Sequence, residues 1–235
     1  MKIITFYSDT HKTIYDFFTE SYDKYLSENH TLISKKIDQI SQSGEYNSNG
    51  FGETMVVKLD IIIENLDTSD DNLMVYSDSD VQFFGDIKVE LGEHDILFIH
   101  DYDNHFQYAW LPGEPYKIGK YPNYCAGFFI CKQSEKVKKF FEYIRETLLY
   151  YISIGKNTHD QIVMNKIIND GYDINHGILD SQKYWTAAFS TNGQPWDYQD
   201  IIVPKSILVH HANFTYGVER KIALMNLVRN RYYKQ

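Results

Sequence analysis

Leu73-Met-Val-Tyr-Ser-Asp78-Ser-Asp80-Val-Gln-Phe-Phe is an apolar run that ends abruptly in two carboxylates. Residues 73–76 read as the core of a buried strand. The acids at i and i+2 then emerge at the strand's carboxyl end, where open α/β sheets place their ligands. Two carboxylates there can hold a hard divalent cation through oxygen, and the cation can bridge to a diphosphate. The bare pair carries little weight: 20 Asp among 235 residues make about 1.7 Asp-x-Asp pairs by chance, and the chain has two. The other, Asp101-Tyr-Asp103, also follows an apolar run, residues 96–99. Solvated turn acids are the plainer reading of either pair in isolation.

Outward from that strand, short apolar runs alternate with stretches of helical spacing over the first 170 residues, which indicates an α/β layer fold. Residues 3–7 predict a first strand, and Ile14, Phe17, Phe18 and Tyr25 the buried stripe of a helix after it. Residues 31–37 predict a second strand. A polar stretch, residues 41–52, precedes Val56, Leu59, Ile62, Ile63 and Leu66, which share one helix face. Residues 96–99 and 125–131 are further strands, and Val137, Phe140, Phe141, Ile144 and Leu148 repeat at helical spacing. Thr158 with Gln161 three residues on matches a capping box opening another helix. Beyond Gly171 the spacing is irregular, with Trp185, Pro195 and Trp196 expected in loops, a strand at 207–210 and an amphipathic helix at 217–231. No repeat or linker divides the chain, so one domain is expected.

The charge balance, 23 Lys+Arg against 32 Asp+Glu for a net of -9, argues against a nucleic-acid binder held by phosphate contacts. Hydrophobic residues make up 43%, enough for a sizeable core at this length. The 20 Tyr and 14 Phe accompany many Ile, Asn and Lys, a bias that an AT-rich bacterial or viral genome produces without functional cause. No stretch approaches the ~20 apolar residues of a membrane span, and the start has no signal-peptide core. Cys125 and Cys131, six residues apart on one strand, would be separated by about 20 Å and cannot pair there. A reduced, cytoplasmic protein is expected.

Two more segments carry chemistry. In Leu208-Val-His210-His211-Ala-Asn213-Phe-Thr-Tyr-Gly217-Val-Glu-Arg220-Lys221 a strand ends in imidazoles and a short loop opens into a helix with cations in its first turn. An imidazole can complete a carboxylate-bound metal site, and a helix start with cations suits phosphate. Residues 217–235 carry five Lys/Arg and one Glu, a local +4 against -13 over the other 216 residues. Complementing the helix dipole is the plainer role for basic residues at the helix end. The other segment is Asn157-Thr-His-Asp160-Gln161. Met164 and Ile167 lie four and seven residues beyond Asp160, so this acid heads an apolar stripe and faces inward. It would either meet a ligand's hydroxyls, act as a base, or satisfy its own helix's free N–H groups.

These elements, in this order and spacing, resemble a GT-A fold glycosyltransferase, and more narrowly the nucleotide-diphospho-sugar transferase group with a DxD motif that includes plant cell-wall xylosyl- and galactosyltransferases. The resemblance spans nearly the whole chain and implies a Rossmann-like domain with a mixed, mostly parallel central sheet flanked by helices. It implies a nucleotide-binding half over residues 1–100 and an acceptor half over 101–235, ending in a phosphate-contacting helix. Donor contacts would come from Tyr7, Ser8, Asp9, Lys58, Asp78, Ser79, Asp80, Gly127, Asn213, Gly217 and Lys221. Ala126-Gly127-Phe128-Phe129 is similar to the segment lining the sugar pocket. Mn²⁺ or Mg²⁺ would be held by Asp78, Asp80 and His211, with His210 the alternative because two imidazoles are adjacent. Asp160 and Gln161 would be the catalytic pair. Family members carry another apolar strand after the metal motif, which assigns Asp101 to that strand and prefers Asp78 and Asp80 as the DxD.

The activity implied by the resemblance is transfer of a sugar from a UDP-sugar to a hydroxyl of a glycan, glycoprotein or small acceptor. Asp160 would orient the sugar or, in an inverting enzyme, deprotonate the acceptor. Three alternatives are weighed against it. The Asp78-Ser-Asp80-Val string also resembles haloacid-dehalogenase-type phosphatases, whose later acidic pair is missing here. A nucleotidyltransferase lacks its upstream Gly-Ser turn. A non-catalytic nucleotide-sugar-binding relative would keep the fold without the reaction.

Overall fold

Ile3 and Ile4 are adjacent, both fully buried, and pack into different cores on opposite faces of one sheet. Alternate side chains of a strand point to opposite faces, so a strand buried on both reads as a continuous apolar run. The computed structural model describes residues 1–42, 48–70, 72–101, 105–186, 201–213, 215 and 217–235. Its central sheet has the order β2-β1-β3-β6-β5-β7, formed by Thr31–Lys36 (β2), Lys2–Tyr7 (β1), Leu73–Ser77 (β3), Tyr124–Lys132 (β6), Ile96–His100 (β5) and His176–Ile178 (β7). Pairing is parallel for β1 with β2 and β3 and for β5 with β7, whereas β6 runs antiparallel to both its neighbours. The sheet is therefore mixed and mostly parallel, as expected.

Helices α2 (Phe51–Asn65), α3 (Glu135–Ser153) and α4 (Asp160–Asn169) cover one face. The other face carries α1 (Lys12–Tyr25) and a small sheet of β4 (Val81–Phe83), β9 (Val209–His211) and β8 (Tyr184–Thr186). Helix α5 (Val218–Tyr232) closes a third cluster with Ile14, Phe84 and Trp185. Among the described residues no helix is long and apolar enough to cross a membrane.

Three expectations are corrected. Trp185 lies in β8 and is buried, not in a loop. Its strand is only three residues long and parallel to β9, a pairing set by distant chain with no local periodicity to announce it. The late strand covers Val209–His211 rather than 207–210. The Thr158–Gln161 capping box does not form. His159 is the residue before the helix, Thr158 Oγ1 is buried without a hydrogen-bond partner, and the Gln161 amide is drawn to tertiary partners instead. The local pattern does cap α3, where Ser134 Oγ accepts from Val137 N at 3.3 Å. Asp103, Pro195 and Trp196 lie outside the described residues.

Candidate active site

The carboxyl ends of β1, β3 and β5 and the start of the reversed β6 meet at one edge of the sheet, and a cleft of about 480 Å³ opens there. At that edge β6 slips its register against β5 between Phe98 and Ile99, an irregularity that frees Ala126, Gly127 and Phe128 from the β5 ladder. Gly127 O instead accepts from Asp78 N at 2.7 Å. This fixes the turn that carries Asp78 and Asp80 out of β3.

One ligand atom each of Asp78, Asp80 and His211 lies within 4.8 Å of the others. The small sheet makes this meeting: β4 begins directly after Asp80 and pairs Val81 with His211. His210 points the opposite way, as successive strand residues must. It is fully buried outside the cleft lining, with Nδ1 3.0 Å from Gln82 Nε2. Burial, with His211 adding to it, lowers its pKa to about 3, so it is neutral.

The oxygens of the two acids divide their work. Asp78 Oδ1 accepts from the Tyr76 hydroxyl at 2.6 Å and faces Lys58 Nζ at 3.3 Å, while Oδ2 borders the space above Gly127. Asp80 Oδ2 is paired with Lys221, and Oδ1 lies 3.1 Å from His211 Nε2, buried and without a hydrogen bond. An orphaned carboxylate oxygen facing an imidazole nitrogen is what a shared cation would satisfy. Two carboxylates and one imidazole fit Mn²⁺ or Mg²⁺ by their chemistry. Burial opposes the charge on Asp80, but Lys221 and His211 outweigh it and hold the acid well below the usual carboxylate range.

Lys58 rises from α2 into the cleft lining, 2% exposed, with Nζ 2.9 Å from Asp160 Oδ2 and donating to Ala126 O at 2.9 Å. Burial penalises its charge, yet Asp160 and Asp78 raise its pKa above the ordinary lysine value. Asp160, itself 4% exposed, is likewise opposed by burial but held ionised, well below the usual range, by Lys58 and then His159. The inward orientation expected for Asp160 is present, and its partner is a lysine as well as a neighbouring histidine.

Both ends of the Gln161 amide are engaged: Oε1 accepts from Ala126 N at 3.1 Å and Nε2 donates to Asp101 at 2.6 Å. Asp101, 1% exposed at the end of β5 and lining the cleft, also accepts from Asn123 at 2.5 Å and Asn213 at 2.7 Å. Its place after an apolar strand was the signal for it, but only as a rival metal motif. Tyr7 and Ser8 line the cleft, and Tyr7 is braced by stacking on Tyr15 with centroids 3.9 Å apart. Ser79, Gly127, Gly217 and Lys221 line it too. Asp9 does not; it is exposed and pairs with Lys36 at 2.6 Å. Gly217 has φ +87°, a backbone conformation that favours glycine, and it turns the chain into α5. Of the five cations in the last 19 residues only Lys221 lines the cleft; Arg229, for one, pairs with Glu20.

A model of the nucleotide-diphospho-sugar transferase family matches residues 14–225. No curated protein matches the sequence. Among solved structures, the galactosyltransferase LgtC in complex with donor and acceptor sugar analogues is similar at 12% identity and TM-score 0.58, covering 98% of this chain and 96% of its own. A glycosyltransferase involved in the glycosylation of the major capsid of PBCV-1 is similar at 12% identity and TM-score 0.61, covering 96% and 98%. Both show a shared fold. The phosphatase and nucleotidyltransferase readings lose their support to the family match.

Proposed function

Because the chain belongs to the nucleotide-diphospho-sugar transferase family, we propose that it moves a sugar from a UDP-sugar to a hydroxyl on a glycan, glycoprotein or small acceptor. Residues 1–100 would serve chiefly the nucleotide and residues 101–235 the sugar and acceptor, with α5 contributing Lys221 to the diphosphate. The observation that carries this reading is the convergence of Asp78, Asp80 and His211 within 4.8 Å, with Lys221 on one acid and the Lys58–Asp160 pair beside the other.

When bound at Asp78, Asp80 and His211, Mn²⁺ or Mg²⁺ supplies Lewis-acid stabilisation of the charge gathering on the diphosphate leaving group. Lys221 adds a preorganised ammonium at the same place. Tyr7 and Ser8, at the carboxyl end of β1 and lining the cleft, suit the nucleoside. Asp160 is assigned to orienting the sugar's hydroxyls as a permanent anion. The Lys58 ammonium 2.9 Å from Asp160 favours the ionised carboxylate, which disfavours this acid as a general base. Gln161 positions: its amide ties Ala126 of the cleft floor to Asp101.

A panel of nucleotide-sugars incubated with Mn²⁺ and no acceptor tests the assignment. Slow release of UDP from one UDP-sugar, abolished by EDTA and by Asp80→Ala, is the expected result. Inertness across the panel, with nucleotide binding intact, would favour a binding protein that keeps the fold without the reaction.

A further inference from the structure

We propose that Cys125 is a positioning residue for the metal centre: its sulfur holds His211 in the Nδ1–H tautomer and turns Nε2 toward Asp78 and Asp80. This rests on the metal-site reading above. Cys125 is 1% exposed near the start of β6, beside the Nδ1 edge of His211. Its Sγ is 3.4 Å from His211 Nδ1, 3.4 Å from Gly127 N and 3.6 Å from Asn213 Nδ2. The Gly127 N–H and Asn213 Nδ2 can only donate, so toward both of them the sulfur is an acceptor. A proton on Nδ1 makes the imidazole a third donor to the same sulfur.

In the opposite tautomer the thiol S–H would donate to Nδ1, and Nε2 would carry the ring's proton. Nε2 lies 3.1 Å from Asp80 Oδ1 in a geometry that forms no hydrogen bond, leaving that oxygen orphaned. A proton on Nε2 would block the lone pair a cation needs. Metal-ligating histidines donate their second ring N–H to an oxygen acceptor that fixes tautomer and orientation, and loss of that partner weakens metal binding about 10- to 100-fold. Here a thiol takes the place of that oxygen. Cys131, on the same strand, is fully buried in the apolar core opposite Met74 and Ile96, which makes it a control for generic damage to β6.

The test is Mn²⁺ titration followed by the EPR signal of the free ion, on wild type, Cys125→Ala, Cys125→Val, Cys125→Ser and Cys131→Ala. The expected result is affinity weakened about tenfold or more in Cys125→Ala and Cys125→Val, recovery toward wild type in Cys125→Ser, whose hydroxyl can accept, and no change in Cys131→Ala. Nitrogen-15 NMR of His211 in metal-free protein should show the Nδ1–H tautomer in wild type and its loss in Cys125→Val, a readout that does not depend on metal. Equal Mn²⁺ affinity in wild type and Cys125→Val, with the tautomer unchanged, overturns the proposal while leaving the metal site standing. A wild type that binds no Mn²⁺ overturns both.

Discussion

Gly127 lies so close beneath His211 that a β-carbon on it would sit 2.3 Å from the ring's Cε1, and 2.8 Å from Asp78 Oδ2. The candidate ligands close over this residue, and a methyl group would occupy the space between them. Gly127→Ala is therefore expected to displace His211 and Asp78, at an overpacking cost of about 1–3 kcal/mol. The folded protein should survive, with Mn²⁺ affinity falling by more than an order of magnitude in the same EPR titration. Undiminished affinity would mean that the cation lies elsewhere.

Lys58 is a lysine buried between two acids, with Asp160 at 2.9 Å and Asp78 at 3.3 Å. Removing one partner of such a pair leaves an uncompensated buried charge, a loss of about 3–5 kcal/mol. Lys58→Met should lower stability by that order in urea unfolding. Adding Asp160→Asn should restore part of it, because the buried one of the two stranded charges is then gone while Asp78 keeps partial access to solvent. A double variant less stable than the single one would contradict this account of the pair.

His210 gives the pH dependence. Its unfolded value is near 6.5 and its folded value about 3, so between these the unfolded chain binds the extra proton. The sign is then fixed: this contribution is intact above about pH 6.5 and drains away as pH falls toward 3, with about 2 kcal/mol lost by pH 5. His210→Asn keeps an acceptor for Gln82 and should flatten the loss between pH 7 and 5, measured by urea unfolding in EDTA. An unaltered slope would show that another group titrates there.

Asp101 accepts from three side-chain amides, those of Asn123, Gln161 and Asn213. Asp101→Asn turns one acceptor oxygen into a donor facing donors. The expected cost is about 1–3 kcal/mol in thermal or urea unfolding, together with reduced turnover as Gln161 and Asn213 lose their anchor. Stability and turnover equal to wild type would remove Asp101 from the site's framework.

Strands β3 and β6 were legible as continuous apolar runs, being buried on both faces, and α3 by its helical period; the Asp78/Asp80 pair could be placed at a strand end on that ground. Asp160's inward orientation followed from Met164 and Ile167 in the same way. The choice between His210 and His211 was not legible. It depends on the pairing of β9 with β4, two three-residue strands 128 residues apart in the case of Gln82 and His210. Asp101 was read as a rejected metal motif because its amide partners come from three separate parts of the chain. The capping box at Thr158 failed for a related reason: Asp101 and the Ala126 backbone compete for Gln161, and tertiary partners won over the local one.

A cation held by Asp78, Asp80 and His211 would in turn hold a nucleoside diphosphate. A thermal-shift titration of UDP, with and without Mn²⁺, tests it most directly, since a ligand that binds only the native state raises stability by RT ln(1 + [L]/Kd). An upward shift by UDP that requires Mn²⁺ is expected in wild type and is expected to be absent in Asp80→Ala and His211→Ala. A UDP shift that is the same without metal, or that persists in both variants, would contradict it.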